Sequence, residues 1–167
     1  MLIRTIQPDE FIEYAYLIQC LEAETDYLKY GAYERNCTPK RAERRVTSLL
    51  NEPNSTIFVV EDEGDLVGHL TVFGKMAPRA KHCATIVMGI LQEHWGEGLG
   101  YELLKQTELW ARERQLTRLE AMVMTHNQRA VALFQKAGFK AEGVRQYSLF
   151  INGNYVDEYY MAKVIQY

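Results

Sequence analysis

From Thr85 to Gly100 the chain reads T-I-V-M-G-I-L-Q-E-H-W-G-E-G-L-G. Its first half, Thr85 to Leu91, is an apolar, β-branched run of the length and type of a buried strand. Its second half places Gly96, Gly98 and Gly100 on alternate positions, and a helical pattern opens at once behind them. Strand, glycine-rich turn and helix N-terminus in that order make an anion site. Successive backbone N–H groups point outward, and the helix dipole favours negative charge. Glycine lets the backbone take φ > 0 and lets a phosphate come close.

The turn alone leaves its ligand open. It is not the dinucleotide fingerprint, because Tyr101 holds the place of the third glycine. It is not a Walker A loop, because no Lys-Ser/Thr follows. A glycine-rich turn that binds nothing also satisfies the pattern.

The chain has 167 residues, the size of one ordinary domain, and 47% of them are apolar, enough for a sizeable core. No apolar run reaches the roughly 18 residues of a membrane span. The N-terminus turns polar too soon for a signal peptide. Cys20, Cys37 and Cys83 are odd in number and widely spaced. They read as free thiols in a reducing cytoplasm, not as a disulfide frame or zinc site. A net charge of −3 argues against bulk nucleic-acid binding.

In chain order, Leu2 to Gln7 alternates as a strand. Pro8-Asp9-Glu10 opens a helix to about Glu22. An acidic, tyrosine-rich segment without periodicity follows, to Tyr33. Thr38-Pro39 opens a second helix through Leu50, whose basic run Lys40, Arg41, Arg44, Arg45 reads as a solvated face. Thr56 to Glu61 and Leu66 to Phe73 form two strands. The central strand precedes a helix from Leu99 to Arg114, then a strand from Leu116 to Met124. Asn127 caps a short helix ending at Gly138. Phe139 to Phe150 and Tyr155 to Val164 are the last strands, joined by the hairpin signal Asn152-Gly153. The order implies a single α/β domain over residues 1–167. It should be a three-layer, mixed central sheet of about seven strands flanked by about four helices.

Two stretches resemble a known family. W-G-E-G-L-G (Trp95–Gly100) resembles the acyl-CoA pyrophosphate loop of the GNAT N-acetyltransferases, usually Gln/Arg-x-x-Gly-x-Gly/Ala. N-Q-R-A-V-A-L-F-Q-K-A-G-F (Asn127–Phe139) resembles the family's next signature, Asn-x-x-Ala-x-x-Leu-Tyr-x-Lys-x-Gly-Phe. The tail looks like the branch holding ribosomal-protein N-terminal and small-amine acetyltransferases. Two departures stand out. Trp95 replaces the family's Gln or Arg, and Phe134 replaces the Tyr that often protonates the leaving thiolate.

The resemblance implies acetyl transfer from acetyl-CoA to a primary amine, a small molecule or a protein N-terminus. Direct attack in a ternary complex is expected, with no metal, nucleic acid or membrane; a homodimer is compatible with it. A CoA-binding sensor without turnover is the alternative. It implies that Met88, Gly89 and Ile90 pair with the pantetheine arm like an added strand. Gly89 suggests a bulge or a close approach there. Trp95, Gly96, Glu97, Gly98, Leu99, Gly100 and Tyr101 form the pyrophosphate loop. Asn127 is placed on the pantetheine, Phe134 beside the sulfur and Lys136 near a phosphate. The acceptor amine must lose a proton before attack, and a carboxylate or phenol can take it. Glu24, with Glu22 beside it, and Tyr147 and Asp157 on the terminal hairpin are the candidates. For each, a plain surface role is the competing reading.

Overall fold

Alternation along one strand shows how the layers form. In the computed structural model, which describes residues 1–167, Phe58 and Val60 enter one core while Ile57 and Val59 enter another. Successive side chains of a strand point to opposite faces, so this strand is buried on both sides.

The elements follow the expected order. They are β1 (Leu2–Thr5), α1 (Phe11–Glu24), α2 (Pro39–Asn51), β2 (Thr56–Asp62), β3 (Asp65–Gly74) and β4 (Cys83–Ile90). After them come α3 (Leu99–Glu113), β5 (Arg118–Met124), α4 (Gln128–Lys136), β6 (Lys140–Ile151) and β7 (Asn154–Val164). One seven-stranded sheet carries them in the order β1-β2-β3-β4-β5-β7-β6. Only β4 and β5 pair in parallel, across the α3 crossover; every other pair is antiparallel.

Helix starts follow local chemistry. Thr38 Oγ1 accepts the Arg41 amide at 3.3 Å ahead of α2. Asn127 Oδ1 does the same for Ala130 at 3.3 Å ahead of α4. The first helix starts later than Pro8, at Phe11. Glu10 does not cap it, because its carboxylate takes Arg4 at 2.6 and 2.8 Å and the Gln7 amide at 2.7 Å. Pro8–Glu10 is therefore a turn.

Helices α3 and α4 cover one face of the sheet with Leu103, Leu104 and Phe134. Helices α1 and α2 cover the other face only over its first strands, through Tyr14, Val46 and Leu49. On that second face Val87 of β4, Met122 of β5 and Tyr160 of β7 remain exposed. The basic side chains of α2 stand in solvent. Under α1, the Tyr14 hydroxyl meets Thr71 Oγ1 at 2.9 Å, and that oxygen meets His69 Nδ1 at 3.1 Å. Burial, with Arg45 and Arg35 nearby, pushes the His69 pKa down to about 3, so the ring is neutral. No helix is long and apolar enough to cross a membrane.

Candidate active site

Strands β4 and β5 pair at only three positions, Cys83 with Arg118, Ala84 with Leu119 and Thr85 with Glu120. Beyond Thr85, β4 stays on β3 as far as Ile90 opposite Gly68. β5 stays on β7 as far as Met124 opposite Glu158. The sheet therefore opens between them into a wedge.

The direction of the backbone groups follows from one bond. Leu91 N donates to Val67 O at 2.9 Å, toward β3. Alternate residues of a strand share a direction, so Gly89 also turns its groups to β3, while Met88 and Ile90 turn theirs into the wedge. The Ile90 carbonyl accepts the Trp95 indole N–H at 2.8 Å. The Met88 N–H and C=O and the Ile90 N–H are the groups an added strand can use.

The glycines do different jobs. Gly96 and Gly98 have φ of +87° and +82°, and a Cβ on either would meet nothing within 4 Å. They supply conformation and open space. Gly98 stands at the N-cap of α3 without a side-chain cap, so the first amides of the helix are left without partners from it. Gly100 has a packing role, because a Cβ there would lie 2.7 Å from Leu133 Cδ2 of α4.

Wedge and turn form one cleft of about 670 Å³. Met88, Gly89 and Ile90 line it along β4. Trp95 to Tyr101 line its end, except Glu97, and Asn127 and Lys136 stand on the α4 side. Glu97 instead turns its carboxylate to His94 Nδ1, 3.5 Å away. That nitrogen is buried and makes no hydrogen bond. The anion-facing turn, the unpaired β4 edge and this length of cleft suit a long ligand with a phosphorylated end.

Of the bulge or close approach expected at Gly89 the structure has the second, and Phe134 stands elsewhere than expected. Strand β4 pairs with β3 without a bulge. The close approach at Gly89 is made by α1, since a Cβ there would lie 2.8 Å from Leu21 Cδ1. Phe134 does not line the cleft. Its ring is 5% exposed and packs edge-on against Phe139 with centroids 5.0 Å apart. Helical geometry turns Leu133 and Lys136 to the cleft and Phe134 to the core beside them.

None of the groups expected to take the amine proton lines the cleft. Glu24 comes nearest. Thr25 next to it is on the wall, and Glu24 Oε2 accepts the Gln92 amide at 2.9 Å. Glu22 is buried, with Oε1 2.8 Å from Arg35 Nε but out of line for a hydrogen bond. Burial raises its pKa and Arg35 opposes the rise. Asp157 Oδ1 accepts the Tyr147 amide at 2.8 Å, where Tyr147 has φ of +51°. That bond holds an irregularity of β6. The Tyr147 side chain is 71% exposed and stacks on Tyr155.

Sequence reasoning missed the far wall. Tyr27 and Leu28, from the aperiodic segment, and His126 and Arg129 all line the cleft. The tyrosine-rich composition after α1 was the signal for Tyr27. Arg129, Leu133 and Lys136 share one face of α4 by helical spacing. Tyr27 and His126 meet with ring centroids 5.2 Å apart, and Asn152 Nδ2 donates to Asp26 Oδ2 at 3.1 Å. The segment after α1 thus touches both the β5–α4 junction and the β6–β7 turn.

A mixed sheet split at its one parallel pair, with a glycine turn suited to anions at the mouth of the split, is the arrangement expected of an acyl-CoA-dependent acetyltransferase. Comparison with known proteins agrees. Residues 17–139 match the family model described as Acetyltransferase (GNAT) family. Over 121 residues the chain is 32% identical to the L-amino acid N-acetyltransferase AaaT of Escherichia coli (strain K12), covering 70% of this chain and 72% of that one. The crystal structure of a GNAT-family acetyltransferase from Streptococcus pneumoniae superimposes with a TM-score of 0.94 at 28% identity, over 98% of this chain and 99% of that one. The yncA protein of Salmonella typhimurium, whose structure holds its cofactor acetyl-CoA, has the same fold, with a TM-score of 0.88 at 15% identity over 99% and 94% of the two chains. The chain belongs to the GNAT family and is an acetyl-CoA-dependent N-acetyltransferase.

Proposed function

We propose that the acceptor is a primary amine, a small molecule or a peptide N-terminus, and that it attacks the thioester directly while both substrates are bound. The observation that carries this reading is the free β4 edge. It faces the glycine turn at one end and the face left bare by α1 and α2 at the other, where Val87, Met122 and Tyr160 are exposed. Each substrate has its own approach to that edge.

Acetyl-CoA supplies the acyl group as a thioester. The amides from Gly96 to Tyr101 hold the pyrophosphate, and the Met88 and Ile90 edge holds the pantetheine with Asn127 beside it. The Met88 N–H is the donor that polarises the thioester carbonyl. The amine nitrogen forms the new amide bond as the carbon–sulfur bond breaks. Its proton passes to Glu24 through a water, since Glu24 Oε1 makes no bond within the chain. No phenol is needed for the leaving sulfur, because a thiol with a pKa near 8.5 leaves as thiolate near neutral pH. None of the three cysteines lines the cleft, which favours direct attack over an acyl-enzyme. The bridges from Asp26 to Asn152 and from Tyr27 to His126 enclose the acceptor side, which suits a slender acceptor. The relative AaaT, named for L-amino acids, fits that class.

Thiol release measured across a panel of amino acids, alkylamines and short peptides tests the proposal. Turnover with initial-rate lines that intersect is expected. Parallel lines would indicate an acyl-enzyme, and acetyl-CoA binding without thiol release from any amine would indicate a sensor.

A further inference from the structure

Two aromatic rings bracket the glycine turn, Trp95 before it and Tyr101 in the first turn of α3. Each carries a cation from α4. Arg129 Cζ lies 4.5 Å from the Trp95 ring centroid, and Lys136 Nζ lies 4.9 Å from that of Tyr101. The cations are seven positions apart, about two helical turns, and so stand on one face of α4. All four side chains line the cleft.

The carboxylates at this end are turned elsewhere. Glu97 faces His94 at 3.5 Å. Glu102 faces Lys105 at 4.0 Å and takes the Gln106 amide at 3.1 Å. Arg129 and Lys136 therefore keep their charge for something that enters the cleft. The Trp95 indole is fixed by its bond to the Ile90 carbonyl, so its face holds the guanidinium in one place. A cation resting on an aromatic face keeps its outer N–H groups free.

We propose that Arg129 joins Lys136, which the resemblance already places near a phosphate, in a two-cation clamp over the glycine turn that grips the phosphates of CoA, and that Trp95 is a positioning residue acting through Arg129. The inference rests on acetyl-CoA being the cosubstrate. It explains how a chain with Trp95 at the loop's first position regains a cation there: α4 supplies it across the cleft. Backbone amides bind the phosphate oxygens from one side, and the two side chains close from the other.

Calorimetry of the full-length chain with acetyl-CoA, at several salt concentrations, tests the clamp. Arg129→Gln and Lys136→Gln should each weaken binding about fivefold. Each should also flatten the salt dependence, because one screened charge contact is lost. Trp95→Ala should match Arg129→Gln in effect and add nothing on top of it. Trp95→Phe should keep most of the affinity, because a ring face remains. Inorganic pyrophosphate should compete in wild type and compete less well against Arg129→Gln. Both cations are exposed, so these variants keep the fold, and melting curves check it. Wild-type affinity and salt slope in Arg129→Gln would overturn the clamp. Additive losses from Trp95→Ala and Arg129→Gln would overturn the positioning role. Failure of wild type to bind acetyl-CoA would instead sink the acetyltransferase reading beneath it.

Discussion

Leu21 of α1 rests on Gly89 of β4 so closely that a Cβ built on the glycine would lie 2.8 Å from Leu21 Cδ1. Leu21 is 2% exposed, and a methyl on Gly89 would push its tip off β4 at the wall of the cleft. Gly89→Ala should therefore cost about 1–3 kcal/mol through overpacking, read by urea unfolding. Leu21→Ala vacates the space, so the double variant should lose less than the sum of the two singles. Purely additive losses would show that the two residues are not coupled.

Gly98 supports the phosphate site through its backbone. At φ of +82°, a β-branched side chain is strained and its bulk faces the approaching anion. Gly98→Val should weaken acetyl-CoA binding at least tenfold, about 1.4 kcal/mol, with the fold kept. Unchanged affinity would move the pyrophosphate away from this turn.

Glu24→Gln should lower kcat/KM, and the loss should shrink as pH rises and more of the amine is free base. A wild-type profile from this variant would shift the role to another carboxylate. Glu158, beside Tyr160 on the bare face of β7 and loosely paired with Arg145 at 3.8 Å, would be the next to test.

The buried His69 makes stability depend on pH. Its folded pKa, about 3, lies below the ordinary value of 6.5. Between these values the unfolded chain binds a proton that the folded chain refuses. Stability should be full above pH 6.5 and fall as pH drops, by up to about 1.4 kcal/mol per unit. Below about pH 5 carboxylates join in: Glu10, Glu108 and Glu120 have lowered pKa values and also lose stability. From pH 6.5 to about 5 the histidine drives the fall, opposed by Glu22, whose raised pKa lets the folded chain take its proton earlier than the unfolded one. His69→Gln should be less stable at pH 7 and should no longer lose stability across that window. An unchanged slope would assign the effect elsewhere.

The sequence made the elements legible wherever local chemistry decides them. Thr38-Pro39 and Asn127 are caps, Asn152-Gly153 is a turn, and each helix has its stripe. The glycine turn was legible because φ > 0 and phosphate approach both ask for glycine. What pairs across distance was not. Gly89 looks the same whether it admits a ligand or Leu21, and only packing tells them apart. Phe134 sits one position from Leu133, and one residue of helix turns a side chain by about 100°. Residue matching fixed its place in sequence but not its direction. Glu24 and Asp157 look like free acids until Gln92 and Tyr147 are found to hold them through backbone amides. Arg129 is visible as a charge, yet its role depends on Trp95 lying beneath it.

The three-pair contact between β4 and β5 makes the molecule two half-sheets joined at a narrow hinge. β1 to β4 lie on one side; β5 to β7 lie on the other. A pantetheine arm laid along Met88 and Ile90 would act as a strut between the halves. Amides near the open end should then exchange hydrogen more slowly with acetyl-CoA bound, and the whole chain should melt at a higher temperature. On this view the cosubstrate is also a transient structural member, and its departure after transfer would loosen the cleft it had braced.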